Sequence, residues 1–301
     1  MTARAPRHAE QSRRGTLGVL LRACRPRQWS KNVLLVAAPA AAGVLGDGSS
    51  DARVAGGIAV FCMLSSAIYL INDVRDREED RHHPRKRLRP IAARELSVRL
   101  ALGAAAILTV AGLAIAFAIA TDLAIVGVGY LALTISYSLW WRHVILLDLI
   151  AVAGGFLLRA VAGGAAAGVP LSRWFLLVTS CCAIFLVAGK RFAELGELGE
   201  RTGSLRGTLH GYTRDGLRAV LAAAALGAVT AYTIWANARP TDEPWYLITI
   251  APFVLGLARY GVLLGRGEGE APEDAVLHDR VLVALGLVWS TLFLLAVYSG
   301  A

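Results

Sequence analysis

Long apolar runs set the strongest constraint on how this chain folds. Three of them cover Val33–Gly46, Ala101–Ala120 and Val281–Tyr298, and they approach or reach the ~20 residues that a helix needs to cross a bilayer core. Hydrophobic residues make up 56% of the chain and charged residues only 18%, below the quarter usual for a soluble domain. A soluble protein would interrupt such runs with a polar face. The sequence therefore predicts an all-α, polytopic membrane protein.

Nine segments qualify as membrane spans. They cover residues 31–47, 53–73, 97–120, 122–140, 144–168, 171–190, 216–237, 245–264 and 280–299. The first is short and contains Pro39. The outer connections are too short to hold a separate domain, so we expect one membrane domain over residues 21–301.

The basic residues are distributed unevenly between the two sides of the membrane. Of the 31 Lys and Arg residues, 26 fall in the N-terminal segment and in alternate connections. The positive-inside rule then places the N-terminus and these connections in the cytoplasm, with the protein in the plasma membrane. Residues 1–20 are basic and lack a small-residue cleavage site, so we predict a mobile cytoplasmic tail and no signal peptide.

Acidic residues concentrate where the second predicted span ends. Asp73, Asp76 and Asp80 are spaced three and four apart, with Asn72 four residues before Asp76. On one helix these side chains share a face, where like charges repel unless a cation lies between them. Mg²⁺ prefers such oxygen ligands and is often shared with substrate phosphates. The simpler alternative is a solvated helix end, which accounts well for the neighbouring acids Glu78 and Glu79.

Basic and polar residues suited to phosphate lie at the same predicted membrane face. Arginine binds phosphate oxygens in pairs and lysine binds them as a point charge. The candidates around the start of the first span and after the aspartates are Arg27, Lys31, Asn32, Lys86 and Arg89.

A second polar group is predicted at the end of the sixth span. Lys190, Arg191 and Glu194 form it, and Lys190 and Glu194 are spaced as an ordinary i,i+4 ion pair. Asp148 is a lone acid among leucines near a membrane boundary, where ionisable residues are functional candidates by default. These parts together suit a metal-assisted enzyme that handles pyrophosphate and a membrane lipid. A transporter is the alternative, although transporters usually bind near the membrane midplane.

The aspartate segment resembles the signature of the UbiA-type membrane prenyltransferase superfamily. The resemblance rests on Asn72-Asp73-x-x-Asp76-x-x-x-Asp80, followed by His83-Pro84-x-Lys86-x-x-Arg89-Pro90-Ile91. It implies a ring of about nine helices around a cytoplasm-facing cavity, with the aspartates holding Mg²⁺ on a pyrophosphate. One departure is Arg94, where many relatives have glycine.

Two further segments resemble a branch of the family that makes a precursor of cell-wall arabinan. They are Arg25-Pro26-x-Gln28-Trp29-x-Lys31-Asn32 and Lys190-Arg191-Phe192-Ala193-Glu194, continuing to Tyr212-Thr213. Members of this branch transfer the phosphoribosyl group of phosphoribosyl pyrophosphate to decaprenyl phosphate or a related polyprenyl phosphate. Quinone-type relatives carry a second Asp-rich motif where this chain has Lys190, Arg191, Glu194 and Glu197.

The resemblance implies roles for the candidate residues. Asp73, Asp76, Asp80, Lys190 and Glu194 would be catalytic, with the three aspartates as metal ligands. The implied substrate contacts are Gln28, Lys31, Asn32, Asn72, Lys86, Arg89, Arg142, Asp148, Arg191 and Tyr212. An aromatic prenyltransferase and a polyprenyl-lipid transporter remain alternatives, a homo-oligomer is compatible with the sequence, and no nucleic-acid partner is expected.

Overall fold

The structure is a computed structural model that describes residues 6–141, 144–198, 212–238, 245–267 and 278–298. Within these ranges the chain forms helices and connections, with no β-strand. The helices are α1 Pro6–Ala23, α2 Ala37–Ala42, α3 Gly48–Arg75, α4 Arg77–His82, α5 Val98–Ile119, α6 Thr121–Ser136, α7 Ile145–Ala167, α8 Arg173–Leu198, α9 Arg214–Asn237, α10 Trp245–Ile248, α11 Ile250–Gly265 and α12 Arg280–Tyr298. Two 3₁₀ segments cover Pro26–Val36 and Lys86–Leu88, and a π-helical turn covers Tyr137–Trp141.

Eight stretches of the described chain are long and apolar enough to cross a membrane. They correspond to α3, α5, α6 with the π-helical turn, α7, α8, α9, α10 with α11, and α12. This confirms the all-α, polytopic membrane architecture. The largest difference in bounds is in α8, which continues to Leu198 rather than ending at residue 190. Lys190 and Glu194 therefore lie inside a helix.

The first predicted span, residues 31–47, is not a long α-helix. The chain there forms the 3₁₀ segment Pro26–Val36 and then the six-residue helix α2. A 3₁₀ helix rises about 2.0 Å per residue and an α-helix 1.5 Å, so the summed length of the two segments is about 31 Å, close to the thickness of a bilayer core.

The 3₁₀ segment lies antiparallel against α3. The Trp29 indole donates a hydrogen bond to the Ser66 hydroxyl (3.0 Å), and the Asn32 amide nitrogen lies 3.3 Å from the Cys62 sulfur. Leu35, three residues further on, is fully buried beside Gly57 of α3. In a 3₁₀ helix, residues three apart are eclipsed, which explains why a single line of side chains faces α3.

Gly163 of α7 permits a backbone-to-backbone contact with the 3₁₀ segment. A Cβ atom at residue 163 would lie 1.8 Å from the Leu35 carbonyl oxygen. Small residues commonly allow this kind of close helix approach in membranes. Gly163 therefore serves close packing, and its partner is the 3₁₀ segment.

Arg159 is a buried cation in the membrane-spanning part of α7. It is 6% exposed and donates hydrogen bonds to the Asn32 side-chain oxygen (2.8 Å), the Gly155 carbonyl (2.8 Å) and the Tyr130 hydroxyl (3.0 Å). Its guanidinium carbon also lies 4.9 Å from the centre of the Tyr130 ring. These bonds tie α6, α7 and the 3₁₀ segment together in one rigid unit.

Residue 94 has a left-handed backbone with φ of +63°. Such a conformation is costly for residues with a Cβ atom and easy for glycine. This accounts for the glycine that the family resemblance leads us to expect at the position occupied by Arg94.

Candidate functional site

Two buried carboxylates share one arginine where α3 ends. Asp73 and Asp80 are 1% and 2% exposed. One nitrogen of Arg89, Nη1, lies 3.2 Å from Oδ1 of Asp73 and 2.7 Å from Oδ2 of Asp80. The Arg25 guanidinium also donates to Oδ1 of Asp73. We call Asp73, Asp76, Asp80, Arg25 and Arg89 the Asp73 cluster.

The spacing predicted that the three aspartates lie on one continuous helix, and this prediction is wrong. Helix α3 ends at Arg75, and Asp76, with φ of −87° and ψ of 6°, joins it to the short helix α4. The helical hydrogen bonds nevertheless continue across the junction, from the Asp76 amide to the Asn72 carbonyl (2.9 Å) and from the Asp80 amide to the Asp76 carbonyl (2.8 Å). The bend leaves Asp73 and Asp80 facing the same arginine.

One carboxylate oxygen of this cluster has no hydrogen-bond partner. Oδ2 of Asp73 is buried and makes no hydrogen bond. Leaving such a group unpaired costs about 1–3 kcal/mol or more, so a buried orphan oxygen is a natural place for a cation. Within the described ranges, no three Asp, Glu, His or Cys side chains lie close enough together to hold a metal ion. The arginines keep the carboxylates in their present arrangement.

Arg25 is the member of the cluster that was not among the predicted site residues. It precedes Pro26 and has a left-handed backbone with φ of +54°. Its guanidinium carbon lies 5.1 Å from the centre of the Tyr69 ring. Strained backbone conformations tend to persist at functional sites, where the surroundings determine them. Its place in the Arg25-Pro26 motif was the only sequence signal for it.

A second set of charges is centred on Arg191 of α8. Its Nε and Nη2 atoms donate to the two carboxylate oxygens of Asp148, at 2.8 and 2.9 Å, and its Nη1 atom donates to Glu194 at 2.7 Å. The hydroxyls of Tyr137 and Tyr212 also donate to Asp148, at 2.6 and 3.3 Å. We call these five residues the Arg191 cluster. Glu194 thus pairs with Arg191 and not with Lys190, the i,i+4 partner that the spacing suggested.

The Asp148–Arg191 pair at the centre of the Arg191 cluster is buried and densely hydrogen-bonded. Asp148 and Arg191 are 2% and 5% exposed, and both oxygens of Asp148 accept two hydrogen bonds each. Burial and the neighbouring Asp148 carboxylate raise the pKa of the Tyr212 hydroxyl above its ordinary value. Tyr212 therefore stays neutral and continues to donate its proton to Asp148.

Both clusters lie at the same end of the helices. The guanidinium of Arg75, the last residue of α3, donates to the Ser138 carbonyl in the π-helical turn. Tyr137, the neighbouring residue, donates to Asp148. The turn therefore connects the end of α3 to the start of α7. π-Helical turns are rare and occur often at functional sites.

The remaining predicted site residues differ in their burial and in their bonding. Asn32 is fully buried and its side chain bonds Arg159, whereas Arg142 lies outside the described residues. Lys86 and Lys190 are half-buried and form no ion pair within the described ranges. The other half-buried candidates are Gln28, Lys31 and Asn72.

Comparisons of sequence identify relatives that span both clusters. The profile of the UbiA prenyltransferase family matches residues 33–278. The decaprenyl-phosphate phosphoribosyltransferase of Corynebacterium glutamicum is 44% identical over 292 residues, which cover 93% of this chain and 86% of that protein. The decaprenyl-phosphate phosphoribosyltransferase of Mycobacterium tuberculosis strain H37Rv is 43% identical over 278 residues, which cover 90% of this chain and 91% of that protein.

A solved structure shares the architecture at low sequence identity. A UbiA homolog from Archaeoglobus fulgidus, bound to GPP and Mg²⁺, has a TM-score of 0.69 and 20% identity, covering 93% of this chain and 99% of that chain. At this identity the likeness supports the fold alone.

Proposed function

Because the chain belongs to the UbiA prenyltransferase family, we propose that it transfers 5-phosphoribosyl from phosphoribosyl pyrophosphate to decaprenyl phosphate or a related polyprenyl phosphate. The observation that carries this proposal is the near-full-length similarity to two decaprenyl-phosphate phosphoribosyltransferases. In the reaction, the bond between the anomeric carbon and pyrophosphate breaks, and a bond to an oxygen of the lipid phosphate forms. Attack from the opposite face inverts the anomeric carbon.

The Asp73 cluster is the proposed site for the pyrophosphate of the donor. Asp73, Asp76 and Asp80 would hold Mg²⁺, and the unpartnered Oδ2 of Asp73 supports this assignment. When bound, the metal supplies positive charge that stabilises the leaving pyrophosphate. Arg25 and Arg89 already contact Asp73, so their guanidinium groups are within reach of the same pyrophosphate and can donate to its oxygens.

Two lysines are the proposed contacts for the remaining phosphates. Lys86 and Lys190 have no ion-pair partner within the described ranges, which leaves their charge available. The 5-phosphate of the donor and the phosphate of the lipid each need such a cation. The lipid phosphate is already anionic at neutral pH, so no general base is required, and catalysis is mainly positioning and electrostatics.

The Arg191 cluster has a positioning role in this proposal. Its charges are bonded to one another, and both Arg191 and Asp148 are buried. It fixes α8 against the start of α7 and so sets the position of Lys190, the neighbouring residue. Because Lys190 stands where quinone-type relatives have acids, the donor phosphoribosyl pyrophosphate is favoured over a prenyl pyrophosphate.

The proposed orientation places both clusters on the cytoplasmic side of the plasma membrane. The concentration of 26 of the 31 Lys and Arg residues in the N-terminal segment and alternate connections supports it. A soluble, highly charged donor would then reach the clusters from the cytoplasm, while the polyprenyl chain remains among apolar helix faces.

The test is a reaction with the detergent-purified full chain. The protein is incubated with radiolabelled phosphoribosyl pyrophosphate, decaprenyl phosphate and Mg²⁺, and label in the lipid extract is counted. We expect a labelled lipid that requires metal and is absent when EDTA is added. Parallel reactions contain a prenyl pyrophosphate and 4-hydroxybenzoate.

Two results would overturn the proposal. A prenylated aromatic product without a labelled phosphoribosyl lipid would assign the chain to the quinone-type branch. Lipid movement across proteoliposomes, with neither product formed, would favour the transporter. Asp76→Asn should abolish product formation while the variant still elutes as the wild type does on gel filtration.

A further inference from the structure

A cavity of about 720 Å³ opens between the ends of α8, α9 and α11. Phe185, Leu221 and Leu264 form part of its apolar wall, with one residue from each helix. Three arginines line it as well: Arg214 and Arg218 on α9 and Arg266 directly after α11. None of the described lining residues is acidic. The cavity thus combines an apolar wall with a strongly basic rim.

The cavity and the Arg191 cluster use different faces of α8. Phe185, Gly189, Phe192 and Gly196 are spaced four, three and four apart, so they share one face of the helix. A Cβ atom at Gly189 would contact Leu264 of α11 at 2.9 Å, which shows that this face is turned toward α11. Arg191 instead bonds to Asp148 on α7. The cavity is therefore separate from the clusters to which we assign the reaction.

The arginines of the rim are exposed, and among the described residues only Arg218 has a carboxylate partner. The guanidinium carbons of Arg214 and Arg218 lie 6.0 and 5.8 Å from the centre of the Phe192 ring. Arg218 pairs with Asp215 at 3.0 Å, in a contact where both side chains are exposed. In the described part of the chain, Arg214 and Arg266 have no carboxylate partner. Among the described lining residues, the rim therefore carries net positive charge.

We propose that this cavity binds the phosphate headgroup of an anionic membrane phospholipid. Arginine side chains bind phosphate oxygens through paired, charge-assisted hydrogen bonds, and basic cavities between membrane helices suit anionic headgroups. The apolar wall favours a lipid over a free phosphate, because Phe185 and Leu264, which line the cavity, lie within the spanning helices. An acyl chain lies along this wall, and the headgroup lies at the helix ends among the three arginines.

The charge of the rim can be tested by lipid binding. Full-length protein in neutral detergent is titrated with dioleoyl phosphatidylglycerol or dioleoyl phosphatidylcholine, and bound lipid is measured by native mass spectrometry. The test variant combines Arg214→Gln, Arg218→Gln and Arg266→Gln. The charge-matched control combines Arg87→Gln, Arg94→Gln and Arg99→Gln, which are exposed arginines outside the cavity.

We expect the wild type and the control to prefer phosphatidylglycerol, and the test variant to bind it roughly tenfold more weakly or worse. Equal loss of affinity in the test and control variants would show only a general effect of charge and would overturn the proposal. Unchanged affinity in the test variant would overturn it too.

A second variant tests whether the bound phosphate belongs to a lipid or to a soluble anion. Leu221→Ala shortens the apolar wall and should weaken dioleoyl phosphatidylglycerol binding several-fold, without changing the binding of soluble glycerol phosphate. Tighter binding of glycerol phosphate or pyrophosphate than of the lipid would assign the cavity to a soluble anion instead. Displacement of phosphatidylglycerol by equimolar decaprenyl phosphate would assign it to the acceptor lipid.

Discussion

The Asp73 cluster and the Arg191 cluster contain the same types of group but bond them differently. In the Arg191 cluster, both Asp148 oxygens accept two hydrogen bonds, and Arg191 uses Nε, Nη1 and Nη2 in bonds to carboxylates. In the Asp73 cluster, a single nitrogen of Arg89 serves two carboxylates, and Oδ2 of Asp73 accepts no bond. One set of charges is satisfied by the protein itself and the other is not.

This difference supports our assignment of the Arg191 cluster as structural and of the Asp73 cluster as the proposed ligand site. A satisfied buried pair gains nothing by exchanging partners, whereas an unsatisfied carboxylate gains from any cation that reaches it. Judged by residue types alone, the two clusters would be equally good candidates for binding a ligand. The bonding of each oxygen supports the Asp73 cluster as the proposed ligand site.

The largest effect is expected for Asp73→Asn. Removing this charge takes away the proposed metal ligand, so the rate of phosphoribosyl transfer should fall about 10²–10³-fold. The melting temperature should stay within about 3 °C of the wild type, because the asparagine keeps an oxygen that accepts from Arg25 and Arg89, and its amide group replaces only the unpartnered Oδ2. The matched control is Glu78→Gln, an exposed acid of the same segment that should retain its activity. If Asp73→Asn lowered the melting temperature but left the activity normal, Asp73 would have a structural role and not a ligand-binding one.

Asp148→Asn should affect stability first. It leaves the buried Arg191 with one carboxylate partner fewer, and breaking a buried ion pair costs about 3–5 kcal/mol. Thermal unfolding in detergent, followed by the loss of the gel-filtration peak, measures the change. Asp215→Asn breaks an exposed pair with Arg218 and should leave the unfolding midpoint unchanged. An unchanged unfolding midpoint in Asp148→Asn would show that the ion pair of Asp148 does not stabilise the fold.

Gly163→Ala tests whether the scaffold sets the position of the Asp73 cluster. The added methyl group would overlap the Leu35 carbonyl and displace the 3₁₀ segment, which begins next to Arg25. We expect a loss of about 1–3 kcal/mol in stability and a reduced rate of transfer. Gly103→Ala in α5, where a Cβ atom would contact nothing within 4 Å, is the control and should not destabilise the protein. Normal stability in Gly163→Ala would mean that the 3₁₀ segment moves freely.

The smallest effect concerns pH and Tyr212. Its raised pKa means that, above the ordinary value of about 10, the unfolded chain loses the proton while the folded protein retains it. The contribution of Tyr212 to stability is therefore complete below pH 10 and declines as the pH rises further. The difference in melting temperature between the wild type and Tyr212→Phe should shrink from pH 9 to pH 11. A constant difference would show that the pKa of Tyr212 is not raised.

Sequence reasoning found the membrane architecture and the aspartates because both depend on local patterns. Apolar runs of span length and acids three and four apart are visible without a fold. It did not find Arg25 as a partner of Asp73, or Tyr137 as a partner of Asp148, because the first pair is 48 residues apart and both depend on how helices meet. Nor could it foresee that the buried Arg159 occupies the Asn32 side chain, since that bond joins residues 127 apart.

The eclipsed winding of the 3₁₀ segment restricts how its length can vary. Trp29, Asn32 and Leu35 face α3 because each step of three residues completes a full turn. Inserting one residue would rotate everything beyond it by about 120° and bring a different side chain against α3. Inserting three would preserve the facing line but move its end outward by about 6 Å. This part of the chain therefore tolerates substitution more readily than any change in the number of residues.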